Sequence, residues 1–459
     1  MDYTINNYRF RKLEDKYFIT TDSGSWAVLS EEEFEKLKSK NIDEKLKEKL
    51  LEREIVLDET NTEEFVNDLR KRNSFLFYGA SLHIVVVTLR CNMKCVYCHA
   101  SSVNDEKKEF DMGKETAKST VDFIFQSPNR SITIEFQGGE PLLNWETVEF
   151  IIRYAKEKNK IAKKNLRFDI VTNLSLMDEK KMAYLLKEGI HVCTSLDGPK
   201  ELHDKNRIFS KASNYEQVVY WIKKFKEEFN KRKIESSDIN AIVTLTRESL
   251  KYPEEIVDEY TNLGLKFIHL RFLNNLGVAQ KTWSSISYSV KEYLDFWEKA
   301  VERLKEHQKN GSELKERMID IMEKKIGTKF DPNFLDLRSP CGAAIGQLAY
   351  HYNGDIYTCD EGRMIGDETF LLGNVKKDSY KDVVTCDKAC AVLNASINDQ
   401  FICDACAYKP YCGLCPVCSF AEHGSTIGKI SQSERCKIFK SQFDWVVKER
   451  FINQEKDIK

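Results

Sequence analysis

Cysteines are the residues here whose type and spacing point most directly to chemistry. The 459-residue chain has 14 of them, ten after residue 340. Its first residues, Met1-Asp2-Tyr3-Thr4-Ile5-Asn6-Asn7, do not form a signal peptide, so the expected location is cytoplasmic. A reducing cytoplasm keeps thiols out of structural disulfides, and dense, regularly spaced thiols there read as metal ligands. The first group is Cys91-x3-Cys95-x2-Cys98. Three thiolates at that spacing can wrap one face of an iron–sulfur cubane, leaving one iron open to bind and polarise a small molecule. A zinc site or an incidental run is the plainer alternative, although tetrahedral zinc usually takes four ligands from two pairs. The second group comprises Cys341, Cys359, then Cys403-x2-Cys406-x5-Cys412-x2-Cys415-x2-Cys418, and Cys436. Its Cys-x2-Cys pairs alone are equally compatible with two structural zinc sites.

The elements that must position these thiols follow from periodicity. Strand-like runs at Leu82–Leu89, Ser131–Phe136, Leu166–Thr172, His191–Ser195, Asn240–Thr244 and Phe267–Phe272 alternate with amphipathic helical runs such as Lys114–Gln126, Trp145–Lys160, Glu179–Glu188, Tyr215–Lys231 and Lys251–Asn262. That alternation predicts a parallel sheet with right-handed crossovers, an open or partial barrel whose strand ends carry the chemistry. The Cys91 group directly follows the first strand. Residues 1–57 form a separate unit of three short strands followed by a helix opened by Ser30, with a second charged helix after it. Residues 288–326 read as a charged helical spacer. The cysteine-rich tail reads as a loop-rich module held by metal rather than by apolar burial. Cys193 falls inside the fourth strand and reads as a buried core thiol.

Composition narrows the partners. Hydrophobic residues make up 41% and charged residues 31%, and the formal net charge is −2. That balance argues against nucleic acid as a main partner. No apolar run approaches the ~20 residues that span a bilayer, so no membrane partner is expected.

The Cys-x3-Cys-x2-Cys segment, with Tyr97 before its last cysteine, resembles the radical S-adenosylmethionine (SAM) enzymes. Phe136-Gln137-Gly138-Gly139-Glu140-Pro141, at the end of the second strand, resembles the family's Gly-Gly-Glu segment, which holds the SAM amino group. Two glycines permit close backbone approach, and Glu140 can pair with an ammonium. Thr172-Asn173 and Ser195-Leu196-Asp197-Gly198-Pro199 end the next two strands and resemble segments lining the SAM pocket. The resemblance makes Asn173, Ser195 and Asp197 SAM ligands, with Arg207 meeting the SAM carboxylate and Tyr97 at the cofactor.

The tail resembles the SPASM extension of these enzymes, which carries two auxiliary [4Fe–4S] clusters and would bring the total to three. Residue by residue, the resemblance assigns Cys403, Cys406, Cys412 and Cys436 to a distal cluster. It assigns Cys341, Cys359 and one of Cys415 and Cys418 to a proximal cluster. Two departures stand out: Cys412-x2-Cys415-x2-Cys418 replaces the usual Cys-x3-Cys, and no extra cysteine lies between Cys341 and Cys359. The proximal cluster then either keeps an open iron for a substrate thiolate or is completed by Cys418, Cys386 or Cys390. Asp360 matches the position of a general base in sulfatase-maturing relatives. The N-terminal unit resembles the winged-helix-like domain that binds a leader peptide as an added strand.

The implied fold is a partial (β/α)6 TIM-like barrel (residues 81–310) between an N-terminal peptide-recognition domain (1–80) and, past a linker (311–340), a SPASM domain (341–459). The implied activity is modification of a ribosomal precursor peptide bound through its leader, as in His-Xaa-Ser-system and thioether-forming ranthipeptide maturases. SAM is cleaved to a 5′-deoxyadenosyl radical, which takes a hydrogen from a peptide carbon. A one-electron donor such as flavodoxin or ferredoxin is implied. A thioether crosslink is the leading product, with carbon–carbon crosslinking or formylglycine formation as alternatives. A zinc-stabilised, non-catalytic peptide-binding adaptor is the alternative of another class.

Overall fold

The computed structural model describes residues 3–233, 239–332 and 334–453. The chain opens with an antiparallel meander of β1 (Tyr8–Leu13), β2 (Lys16–Thr21) and β3 (Trp26–Ser30), followed by α1 (Glu31–Lys38) and α2 (Glu44–Glu52). Ser30 caps α1 in a reciprocal capping box with Glu33. Tyr17, Ile19, Leu29, Phe34, Leu37, Leu46 and Leu50 form this unit's own small core. α3 (Thr62–Arg72) leads away from it.

Six parallel strands form the centre: β4 (Leu82–Thr88), β5 (Ser131–Gly138), β6 (Asn165–Val171), β7 (His191–Ser195), β8 (Asn240–Thr244) and β9 (Leu270–Arg271). They lie side by side in chain order, every neighbouring pair parallel. The intervening helices α4 (Lys114–Ile124), α5 (Trp145–Ala162), α6 (Glu179–Glu188), α7 (Asn214–Arg232) and α8 (Pro253–Asn262) pack their apolar stripes against one face of the sheet. Ile132, Ile134 and Phe136 of β5 are buried on that side, and Thr133, Glu135 and Gln137 take the other. The same alternation runs through β6 and β7. This inner polar face departs from the near-continuous apolar runs of a sheet buried on both sides.

Two expectations change. The charged stretch read as a spacer forms α9 (Val290–Lys309) and α10 (Arg317–Gly327). α9 buries Tyr293, Phe296, Trp297, Ala300, Val301 and Leu304, a helical-period stripe that the surrounding charges obscured. The cysteine-rich tail is not held by metal-site loops alone. Its strand β10 (Gln347–Tyr350) pairs in parallel with β4, and β11 (Asp355–Tyr357) and β12 (Leu371–Asn374) continue antiparallel, giving a nine-stranded mixed sheet. The tail also supplies the short helix α11 (Asp360–Ile365), α12 (Pro416–His423) and α13 (Glu434–Val447). Among the described residues, no helix is long and apolar enough to cross a membrane.

Candidate active site

The first cysteine loop hangs from the carboxyl end of β4. Arg90, just before Cys91, is 6% exposed and pins the loop. Its guanidinium donates to both Asp111 carboxylate oxygens (2.8 and 2.7 Å), to the Asp105 carbonyl (2.7 Å) and to the Leu143 carbonyl (2.9 Å). From the end of β5, Gly139 N–H donates to the Thr88 carbonyl (2.9 Å) and Glu140 N–H to the Arg90 carbonyl (2.7 Å). A Cβ on Gly139 would lie 2.2 Å from the Arg90 carbonyl oxygen, so only glycine permits this approach. Cys95 pairs antiparallel with Arg207, and Val96 N–H reaches the Asn206 carbonyl (2.9 Å). Cys91, Cys95 and Cys98 then line one cavity of about 730 Å³, together with Asn92, Lys94 and Ser102.

Apart from Ser195, the expected SAM ligands with polar side chains are tied around this loop by hydrogen bonds. Glu140 is fully buried, and its carboxylate accepts from the Thr172 hydroxyl (2.6 Å), Asn173 N–H (2.8 Å) and Leu142 N–H (3.1 Å). It therefore ties the ends of β5 and β6 together, with one of its ~4 lone-pair sites left. Burial raises its pKa, against the pull of these donors. Asn173 donates to the Asn92 side chain (3.1 Å) and lies 4.0 Å from Cys91 Sγ. The Tyr97 hydroxyl donates to Asp197 (2.6 Å) and accepts from Arg207 Nη1 (2.7 Å). Arg207 Nε is buried without a hydrogen-bond partner. Ser195 ends β7 on the inner face, half-buried.

These groups fit a [4Fe–4S] cluster and SAM. Four thiolates around a single zinc would lie about 3.8 Å apart. Among the described residues, no three cysteine sulfurs fall within 4.8 Å of one another. The unpartnered Arg207 Nε suits an anionic ligand group.

The C-terminal thiols fall into two neighbouring sets. Cys341, Cys359 and Cys415 share an apolar cluster with Leu276, Val417 and Phe420. Cys359 caps α11, its sulfur accepting from Gly362 N–H at 3.3 Å. Cys418 lies against Cys415: a hydrogen bond from Cys418, opposed by burial, brings the Cys415 thiol down to about 7. Arg435 Nη1 sits 3.3 Å from Cys418 Sγ. Cys403, Cys406, Cys412 and Cys436 line a second cavity, of about 350 Å³, into which Cys415 and Cys418 also open. Cys390 is exposed on the helix Asp387–Ala395, with Cys386 at its start.

Asp360 is buried and held by Arg363, whose Nε and Nη2 lie 2.9 and 2.8 Å from a single Asp360 oxygen. Arg363 Nη1 also reaches the Ala100 carbonyl (3.4 Å), just past Cys98, and so links the two cysteine regions. Sequence reasoning missed what lies between them. Glu135, Asp169 and His191 are successive cross-strand partners on the inner face. Burial pushes the Glu135 carboxyl up to about 7, against the hydrogen bond from Gln137 and with help from nearby Asp169 and Asp360. Cys193, expected as a core thiol, lies instead on this face beside Glu135 and Asp169, its pKa raised by burial and by both carboxylates. Alternation in Ser131-Ile132-Thr133-Ile134-Glu135-Phe136-Gln137 was the available signal.

Residues 85–260 match the family model of the radical SAM superfamily. That stretch is a radical SAM domain. The chain is 26% identical over 397 residues to the cysteine-type anaerobic sulfatase-maturating enzyme of Clostridium perfringens strain 13, covering 83% of this chain and 99% of that one. Native anSMEcpe with bound AdoMet superposes with a TM-score of 0.68 at 23% identity, covering 83% of this chain and 100% of that one. Streptococcus suis SuiB bound to precursor peptide SuiA gives a TM-score of 0.57 at 15% identity, over 93% and 98% of the two chains. At those identities the two structures establish a shared fold.

Proposed function

We propose that this radical SAM enzyme matures a ribosomally made precursor peptide, joining a cysteine sulfur to a peptide carbon as an intrapeptide thioether. The observation that carries the reading is the convergence of Cys91, Cys95 and Cys98 on one cavity at the carboxyl ends of parallel strands. Bound by these thiolates, a [4Fe–4S] cluster with SAM supplies a carbon-centred radical that removes a hydrogen from the substrate. The protein's own part is to bind and orient. Arg207 offers its free Nε to the SAM carboxylate, and Glu140 offers its remaining lone pair to the amino group. Tyr97 and Asp197 hold Arg207 in place. Arg90, Gly138 and Gly139 fix the cysteine loop against the strands.

The peptide reading draws support from the relatives, since one is a sulfatase-maturating enzyme and another was solved with a precursor peptide. The N-terminal meander is proposed as the leader-binding unit. The C-terminal thiols are proposed as ligands of two auxiliary [4Fe–4S] clusters, served by a flavodoxin- or ferredoxin-type donor. Asp360 stands beside Cys359 as the candidate proton acceptor, with Arg363 orienting its carboxylate.

A second reading is favoured by Cys418. With Cys418 against Cys415, the proximal set reaches four thiols and needs no substrate sulfur. The cluster would then only carry electrons, as carbon–carbon crosslinking or formylglycine formation requires. Anaerobic co-expression with a cysteine-containing candidate precursor peptide, followed by mass spectrometry, separates these outcomes. A thioether removes two hydrogens per bridge and blocks cysteine alkylation. A carbon–carbon bridge removes two hydrogens and leaves the thiol alkylatable. Formylglycine removes the sulfur. An unchanged peptide would overturn the maturase reading.

A further inference from the structure

The segment from Cys403 to Cys412 is not stabilised by its own neighbourhood alone. Arg9 of β1, 4% exposed in its side chain, donates from Nε to the Asp404 carbonyl (2.5 Å) and from Nη2 to the Asp404 carboxylate (3.1 Å). Asp404 lies between Cys403 and Cys406. The Thr20 hydroxyl of β2 donates to the Ala407 carbonyl (2.7 Å), with both groups buried. Arg72, at the end of α3, donates twice to the Pro410 carbonyl (2.8 and 3.2 Å) and lies over the Tyr411 ring at 5.1 Å. In return, the Tyr411 hydroxyl donates to the Gly24 carbonyl (2.8 Å). Arg11 grips Asp444 of α13 with two bonds (3.0 and 2.6 Å), and the Tyr408 hydroxyl meets the same carboxylate at 2.5 Å.

Three main-chain carbonyls in seven consecutive residues, 404, 407 and 410, thus take their donors from residues 9, 20 and 72. The Ala407 carbonyl is buried and would be costly to leave without a donor, while those of Asp404 and Pro410 are part-buried, so the loop conformation leans most on Thr20 and is steadied by Arg9 and Arg72. Arg9 and Thr20 belong to the meander that resembles a peptide-recognition domain, and Arg72 ends α3, which follows it.

We propose that the N-terminal unit, together with α3, is a structural wall of the distal cysteine site, with Arg9, Thr20 and Arg72 as positioning residues that hold Cys403, Cys406 and Cys412 in ligating geometry. This gives the unit a role beyond peptide capture. It also fixes any peptide bound there at a constant offset from the distal thiols. The inference rests on reading those thiols as cluster ligands, and the test keeps the two claims apart.

The test uses full-length Thr20→Val, which removes one hydroxyl, and Arg72→Ala, each beside wild type. In the metal-free protein, hydrogen exchange at amides 404–412 reports the wall directly. Each lost hydrogen bond should speed that exchange about tenfold, since ~1.4 kcal/mol is a factor of ten, while amides of β4 and β5 stay protected. In the anaerobically reconstituted protein, Arg72→Ala should hold about four fewer irons per chain than wild type, with SAM affinity unchanged. Arg9→Lys, which keeps a cationic donor, should retain more iron than Arg9→Ala. Unchanged exchange at 404–412 in both variants overturns the proposal. So does slowed folding or exchange spread evenly over the whole chain, because the role would then be general stability. If wild type itself holds only about four irons, the distal-cluster reading fails, and the exchange result still decides whether the wall exists.

Discussion

Cys91, Cys95 and Cys98 hang from the end of one parallel strand, and the groups that pin their loop to the sheet, Arg90, Asp111, Gly139 and Arg207, lie in the same strand-and-helix domain. Cys403, Cys406 and Cys412 sit on a loop three of whose carbonyls take donors from residues more than 300 positions earlier in the chain. The ligand chemistry is the same, but the support differs. The first site is held by local sheet geometry, which strand pairing specifies. The second is held by contacts between units, which form only once the whole chain has folded. Disturbing the first should therefore act on chemistry and core together. Disturbing the second should act on one site and leave the sheet intact.

The sharpest break is Cys98→Ala. It should abolish SAM cleavage and remove about four irons per chain, read by 5′-deoxyadenosine release and an iron assay. Cys390→Ala, at an exposed thiol, should change neither. Next comes Gly139→Ala, which places a Cβ 2.2 Å from the Arg90 carbonyl. It should cost more than about 3 kcal/mol in urea unfolding and lower soluble yield.

Glu135→Gln tests the inner face through pH. The folded carboxyl is pushed up to about 7 by burial, above an unfolded value of about 4.3. The neutral acid's contribution is therefore complete below about pH 4 and is lost as pH rises through about 7. The variant should gain on wild type between about pH 5 and pH 8, on the order of 3 kcal/mol in urea unfolding. A constant difference across that range would remove Glu135 as a buried titrating group.

Arg207→Lys keeps the charge and loses the fork. SAM affinity of the reconstituted protein should fall about tenfold or more in calorimetry, about 1.5 kcal/mol. The smallest effect belongs to Arg11→Ala. Arg11 and Asp444 are partly exposed, 37% and 22% in their side chains, so the loss should be about 1 kcal/mol. It should show as a small shift in Tm with the sheet domain unaffected.

Much of this was legible in the chain itself. All six parallel strands fall where period and length place them, because a helix-flanked strand must be short, apolar on one face and bounded by turns. Gly138-Gly139-Glu140 was readable at the end of its strand because close backbone approach there admits only glycine. The Ser30 cap of α1 was readable for a similar local reason. Less visible was the amphipathic stripe of α9, where Tyr293, Phe296, Trp297 and Ala300 are spaced correctly but surrounded by charge. The polar row Glu135, Asp169 and His191 was present as alternation, yet its meaning needed the cross-strand register.

Local sequence determined which residues carry the chemistry and which strand end presents the first three thiols, since both follow from nearest-neighbour spacing and backbone preference. Tertiary structure alone decided that β10 would extend the sheet beside β4, and that Cys418 would lie against Cys415 under Arg435. It also decided that Arg9, Thr20 and Arg72 would satisfy carbonyls of the loop from Cys403 to Cys412. Those outcomes depend on which distant donor, strand edge or thiol finds which partner. A pairing of that kind, between residues hundreds of positions apart, leaves no periodic trace in the chain.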